Sequence, residues 1–248
     1  NAYSSLGNIL RDLGNLKEAE SSLLKAIKIN PDLEEFHSNL GSLMRDLGKL
    51  KEAEFYTRKA IEINPNFAQA FSNLASIMRD LGKLKEAEFY ARKAIEINPN
   101  FAEASFNLGT ILKDLGNLKE SEIALRRAIA IKPDFANAYF NLSFIELLKG
   151  NYQDGLENYE YRLKMKNGPI LHGIPIVKKI SSQEFQKEKK FLVVSEQGLG
   201  DTMQYMRYIK ILRNQGIDVS FCAQSKLHSL IKASDIDPNP LTPEQASL

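Results

Sequence analysis

Proline recurs at Pro31, Pro65, Pro99 and Pro133, each 34 residues beyond the last. Glycine keeps the same step at Gly14, Gly48, Gly82, Gly116 and Gly150. A proline stops a helix because it has no N–H to donate to the preceding turn. A glycine just past a helix takes the left-handed conformation without a Cβ penalty. The two residues therefore mark the two turns of a repeated helical hairpin. One such hairpin cannot bury its apolar face alone, so a fixed period of this length implies neighbours stacked into one continuous core. Arrays of this kind build long concave surfaces that hold other chains.

The third unit shows the pattern. Its spacing predicts helices over 68–81 and 85–97. Leu74, Ile77, Met78 and Leu81 form one apolar stripe, and Leu84, Ala87, Ala91, Ala94 and Ile95 form the facing one. Small residues at Ala19, Ala53 and Ala87, and at Ala26, Ala60, Ala94 and Ala128, permit close helix approach. Asp32, Asn66, Asn100 and Asp134 are expected N-caps. Residues 44–77 and 78–111 are near copies, which implies recent duplication. The fifth unit carries Gly155 and Arg162 where alanines are expected and has no closing proline, so it reads as a terminal or junctional repeat. Its apolar run Phe140, Phe144, Leu147 and Leu148 suits either an anchor pocket or packing against a following domain.

The Leu6-Gly7, Leu40-Gly41, Leu74-Ala75 and Leu108-Gly109 pairs, with Gly, Ala, Ala and Pro in register, resemble the tetratricopeptide repeat. The resemblance covers residues 1–166 as five units. Departures are the absence of Trp and a first aromatic position that reads Tyr3, His37, Phe71, Ser105 and Tyr139. The resemblance implies a mostly α, right-handed superhelical solenoid whose first helices line a concave groove for a polypeptide client.

Two rows face that expected groove. Ser5 is followed at the 34-residue step by Asn39, Asn73, Asn107 and Asn141. An amide both donates and accepts, so such a ladder can hold a peptide backbone whatever its side chains are. It resembles the asparagine ladder of O-linked N-acetylglucosamine transferases; solvation of a helix face is the alternative. The second row is Arg11, Arg45, Arg79 and Lys113, each followed by Asp12, Asp46, Asp80 or Asp114. These cations suit either acidic client residues or the negative end of their own helices.

Composition excludes several classes. With 33 basic and 31 acidic residues the 248-residue chain carries a formal charge of +2, and no basic stripe points to nucleic acid. No apolar run reaches the roughly 20 residues needed to span a bilayer. The lone Cys222 fits a reducing, cytoplasmic setting. The three histidines lie far apart, so no metal site is expected.

Residues 167–190 lose the helical period and read as a linker. From 191 the pattern changes to a truncated α/β segment: strand 191–195, helix 202–214, strand 217–223 and helix 225–233, a Rossmann-like βαβα order. The tail 235–248 reads as irregular. Gly198 and Gly200 open the first helix and form a candidate anion or acceptor loop. Asp201 at that helix start would repel a pyrophosphate; it suits acceptance of a hydroxyl proton, or a plain N-cap. The run Glu196 to Tyr208 resembles the opening of glycosyltransferase domains of the heptosyltransferase type that follow tetratricopeptide repeats. The resemblance implies that Asp201 is the base in a longer protein that binds a nucleotide sugar.

The expectation is therefore a fragment, starting inside a repeat, that recruits polypeptide clients for a glycosyltransferase-like domain. By itself it is expected to be inactive and without cofactor. A purely structural interaction scaffold is the alternative. Unpaired edges of a severed sheet would favour self-association through residues 191–248.

Overall fold

A computed structural model describes residues 2–165, 190–195 and 198–246. The chain divides into two compact units, Asn1–Met165 and Lys166–Leu248.

The first unit is five helical hairpins: α1 (Ala2–Asp12) with α2 (Leu16–Ile29), α3 (Glu34–Asp46) with α4 (Leu50–Ile63), α5 (Ala68–Asp80) with α6 (Leu84–Ile97), α7 (Ala102–Asp114) with α8 (Leu118–Ile131), and α9 (Ala136–Leu148) with α10 (Tyr152–Tyr159). The hairpin glycines have φ of +72° to +82°. At Gly82 the reason is visible: its N–H donates to Arg79 O at 2.9 Å and Lys83 N–H donates to Met78 O at 2.8 Å. These two bonds close the helix end only around a left-handed residue.

The N-caps differ from expectation. Leu33, Phe67, Phe101 and Phe135 hold the cap positions, with no side-chain cap. Asp32, Asn66, Asn100 and Asp134 lie one residue earlier, in the turn. In two units the residue before proline sets this shift: Asn64 Oδ1 accepts the Asn66 N–H at 2.9 Å, and Asn98 Oδ1 accepts the Asn100 N–H at 3.1 Å. The chain spends that residue on the turn and enters the helix one position later.

Within each hairpin the helices touch through a complementary pair. A Cβ on Gly7 would lie 2.7 Å from Leu23, one on Gly41 would collide with the Thr57 hydroxyl, and one on Gly109 would lie 2.7 Å from Leu125. The third hairpin carries Ala75 instead, and the facing position is Ala91; both are fully buried. Small faces large, or medium faces medium, so the space between the helices is kept. The alanine rows Ala19, Ala53, Ala87 and Ala60, Ala94, Ala128 are also fully buried. First helices pack on each other as well, α1 on α3, α3 on α5 and α5 on α7, and so form one layer of the stack.

The fifth hairpin closes differently. α10 passes into a 3-10 turn at Glu160–Lys164. Tyr139 stacks on Tyr161 at 3.9 Å, and the buried Arg162 lies over the Tyr159 ring at 4.5 Å. Phe140 and Phe144 pack on each other and on Tyr159, at 4.9, 5.5 and 6.2 Å between centroids. The apolar run is thus partly spent inside its own hairpin.

The second unit pairs β1 (Lys190–Val194) with β2 (Asp218–Cys222), parallel, in register from Lys190–Asp218 to Val194–Cys222. The crossover between them is two helices rather than the single expected one: α11 (Leu199–Tyr205) and α12 (Arg207–Asn214). The break falls at Met206, where Ile209 N–H bonds back only three residues to Met206 O and tightens the turn. Phe191, Met206, Ile209, Val219, Phe221 and Ile231 form the core. After β2 come α13 (His228–Ala233) and α14 (Pro243–Ala246).

The tail is more ordered than its composition suggests. Leu241 bridges beside Cys222, and Leu241 N–H donates to Phe221 O at 2.8 Å. Arg213 explains the order. It donates to Val219 O, Ile236 O and the Asp237 carboxylate, and so ties the tail to β2. The expected linker, up to residue 189, lies outside the described residues, and Lys190 already belongs to β1.

The complementary pairs make a direct prediction. Gly109→Ala will destabilise the array by about 1–3 kcal/mol through overpacking, and Leu125→Ala by about 2–5 kcal/mol through a cavity. The double variant, which reproduces the third hairpin, will cost clearly less than their sum in urea unfolding; additive costs would show that the two sites do not share one space.

Candidate functional site

The first helices of the first three hairpins enclose a polar cavity of about 250 Å³, lined by Arg11, Asn39, Ser42, Arg45, Gln69, Asn73 and Ile77. All belong to α1, α3 and α5. The 34-residue period puts the same helix position at the same height in each repeat, so side chains from successive units meet in rows.

The asparagines are half-buried, and most of their amide N–H groups are directed at the preceding repeat. Asn39 donates to Ser4 Oγ at 3.1 Å. Asn73 donates to both Ser38 Oγ and Ser42 Oγ at 2.9 Å. Asn107 donates to Ser72 Oγ at 2.9 Å. In the next repeat the serine position is Phe106, so Asn141 donates instead to Asn137 O, and its Oδ1 accepts from Lys113 Nζ at 2.8 Å. Three amides thus lock repeat to repeat, and the acceptor side remains. Gln69 covers Asn73 Oδ1 at 2.9 Å, while Asn39 Oδ1 has no partner among the described residues.

The cationic row is also inter-repeat. Arg11 Nε donates to Asp46 at 2.5 Å, Arg45 Nε to Asp80 at 2.5 Å, and Arg79 Nε to Asp114 at 2.6 Å. Each aspartate follows the next repeat's cation in sequence, so one dipeptide links units in both directions. The row ends at Lys113, because the position facing it is Leu148 rather than an acid. Lys113 lies 5.7 Å from the Phe144 ring centroid. Burial pushes its ammonium pKa down, Arg79 adds to that, and Asp114 opposes it. Each arginine spends only Nε on its aspartate. A guanidinium carries five N–H donors, and the terminal nitrogens of Arg11 and Arg45 have no partner among the described residues.

The structure therefore brings Arg11, Arg45, Asn39 and Asn73 around one cavity, and leaves Asn107, Asn141, Arg79 and Lys113 outside its lining. Ser42, Gln69 and Ile77 complete that lining and were not among the sequence candidates. For Ser42 a signal was available: Ser76 and Thr110 follow it at the same 34-residue step.

Four tetratricopeptide-repeat family profiles match overlapping stretches: a TPR repeat over residues 7–48 and tetratricopeptide repeats over 34–67, 56–89 and 78–143. The chain is a tetratricopeptide-repeat protein. Its repeats share their fold with solved structures of low identity. TTC0263, a thermophilic protein of Thermus thermophilus, is 22% identical with a TM-score of 0.59, covering 66% of this chain and 90% of that one. MamA is 24% identical with a TM-score of 0.52, covering 64% and 92%. A MamA segment from Desulfovibrio magneticus RS-1 is 18% identical with a TM-score of 0.53, covering 67% and 96%. No curated protein matches the sequence. Among the described residues no helix is long and apolar enough to cross a membrane, and no group of three His, Cys, Asp or Glu could hold a metal ion.

Beyond the tetratricopeptide repeats, Gly198 caps α11 and Gly200 lies in its first turn. Asp201 is exposed beside them. The loop is held by Thr202, whose hydroxyl meets Gln224 Oε1 at 2.9 Å, an acceptor shared with Ser195 at 3.3 Å. Glu196 and Gln197 lie outside the described residues. Cys222 is buried, and burial, with Glu244 adding, pushes its thiol pKa up, which suits packing rather than chemistry.

The serine contacts set an order among the asparagines. Asn73→Ala removes two bonds and strands the buried Ser38 hydroxyl, so it will cost about 1–3 kcal/mol. Asn39→Ala, which removes the single bond to Ser4, will cost less, about 0.5–1.5 kcal/mol. Equal losses in chemical denaturation would contradict the inter-repeat role.

Proposed function

We propose that the repeat stack is a scaffold that holds an extended polypeptide along its first helices, with the cavity between α1, α3 and α5 as the gripping point. One observation carries this reading: unspent donors and an unspent acceptor line a single cavity. The terminal guanidinium nitrogens of Arg11 and Arg45 suit backbone carbonyl oxygens, and Asn39 Oδ1 suits a backbone N–H. Each arginine charge is offset by its aspartate, so the cavity favours peptide groups over a strongly acidic ligand. The inter-repeat bonds hold these groups in place before a ligand arrives, which lowers the ordering cost of binding. The test is a peptide array probed with the wild-type chain and with the Arg11→Gln/Arg45→Gln variant. The variant is expected to lose at least about tenfold in affinity, equivalent to about 1.4 kcal/mol, with its melting temperature little changed because exposed ion pairs contribute at most about 1 kcal/mol each. Unaltered binding would contradict the proposal.

We further propose that residues 190–246 open a parallel α/β domain of a longer protein that acts on sugars, with Asp201 as its base and clients delivered by the repeats. The parallel β1–β2 pair with its helical crossover supports the first part, and the resemblance around Gly200-Asp201 supports the second. A two-Rossmann transferase needs a second half to bind a nucleotide sugar, so the 248-residue chain alone is expected to transfer no label from radiolabelled nucleotide sugars to peptide acceptors. Transfer by this chain would contradict that assignment.

A further inference from the structure

A second cavity lies between α6, α7 and α8. It measures about 170 Å³ and is lined by Ile95, Leu108, Leu112, Ile123 and Ala124, with Ser105 among them and the charged Arg92, Glu120 and Arg127 completing the lining. Its origin is written in the repeats. The two ring positions that face each other within one hairpin hold His37 and Tyr56 in the second, 6.4 Å apart, and Phe71 and Tyr90 in the third, also 6.4 Å apart. In the fourth hairpin both rings are missing, and the positions hold Ser105 and Ala124. Ser105 is fully buried, and its hydroxyl has no hydrogen-bond partner among the described residues. A buried orphan hydroxyl costs stability, which a structural cavity filler would have avoided.

The preceding repeat shows what fits. There Arg58 holds Glu54 with Nε and Nη2, and donates Nη1 to the Tyr90 hydroxyl at 3.1 Å. Its guanidinium carbon lies 5.7 Å from the Tyr90 ring centroid. One repeat on, Arg92 makes the same pair of bonds to Glu88 with Nε and Nη2, while its Nη2 also reaches Glu120 at 2.6 Å. Its Nη1, the atom that meets the phenol in the template, has no partner among the described residues. A volume of this size is close to that of the roughly 150 Å³ apolar cavity that admits a benzene ring. Phe55, Phe89 and Ile123 recur at one spacing on the second helices of these hairpins and stand 64%, 62% and 68% exposed. Ile123 also lines the cavity, so an apolar strip leads into it.

We propose that this notch receives a tyrosine side chain of a partner polypeptide, its ring filling the space left by the two absent aromatics and its hydroxyl accepting from Arg92 Nη1. The site shares no lining residue with the cavity between α1, α3 and α5 and stands independently of it. The test is an NMR titration of the 248-residue chain with N-acetyl-tyrosinamide, N-acetyl-phenylalaninamide and p-cresol. N-acetyl-tyrosinamide is expected to shift signals of α7 and α8 and to bind at least about fivefold tighter than the phenylalanine analogue. Ala124→Tyr, which rebuilds the filled repeat, is expected to abolish those shifts and to raise the melting temperature. Arg92→Gln leaves the apolar walls intact and is expected to erase the preference for tyrosine over phenylalanine. Absence of shifts, their persistence in a folded Ala124→Tyr variant, an unchanged preference in Arg92→Gln, or binding of p-cresol alone would each overturn the proposal. Loss of peptide-array binding in the Arg11→Gln/Arg45→Gln variant would leave these outcomes untouched.

Discussion

The distance between the two helices of each hairpin governs this molecule. Gly7, Gly41 and Gly109 let the partner helix approach until a single added carbon would strike Leu23, Thr57 or Leu125. Where the third repeat puts Ala75 on one side, it puts Ala91 on the other. The repeat therefore keeps a close, void-free contact rather than a constant residue, as close-packed interiors require. Because the first four hairpins keep a close contact here, their outward faces fall at matching heights. The inter-repeat rows depend on that match.

Those rows share one logic. A side chain on one repeat reaches the neighbour one residue further along the period, so Asn39 meets Ser4, Asn73 meets Ser38, Arg11 meets Asp46 and Arg45 meets Asp80. Exposed ion pairs contribute little each, yet a repeated pairing fixes register, and register decides which donors remain for a ligand. Both rows stop at the fifth repeat. Phe106 replaces the serine that Asn141 would need, and Leu148 replaces the acid that Lys113 would need. The end of the pattern coincides with the aromatic closure around Phe140, Phe144 and Tyr159.

Much of this was legible in the chain itself. Pro99 and Gly82 place the turns because their backbone constraints are local and leave few alternatives. The βαβ order was readable for a similar reason, since a short apolar run bounded by turns suits a buried strand. The N-caps were not, because Asn64 competes with Asn66 for the turn, and that contest depends on the geometry around Pro65. The partners of Asn73 and Arg45 were hidden although their spacing was visible. A period shows that equivalent positions recur, but not that a side chain crosses to the next unit. The break at Met206 and the tail held by Arg213 were hidden too, because both arise from contacts distant in sequence.

Ligand-ready polar groups face outward from the layer of first helices, around the cavity that Arg11 and Asn73 line, and the proposed grip on a polypeptide rests on them. Hydrogen exchange of the 248-residue chain, with and without the tightest-binding peptide from a random array, tests this most directly. Added protection confined to α1, α3 and α5 is the predicted result. Protection confined to α4, α6 and α8, with the first helices unchanged, would contradict it.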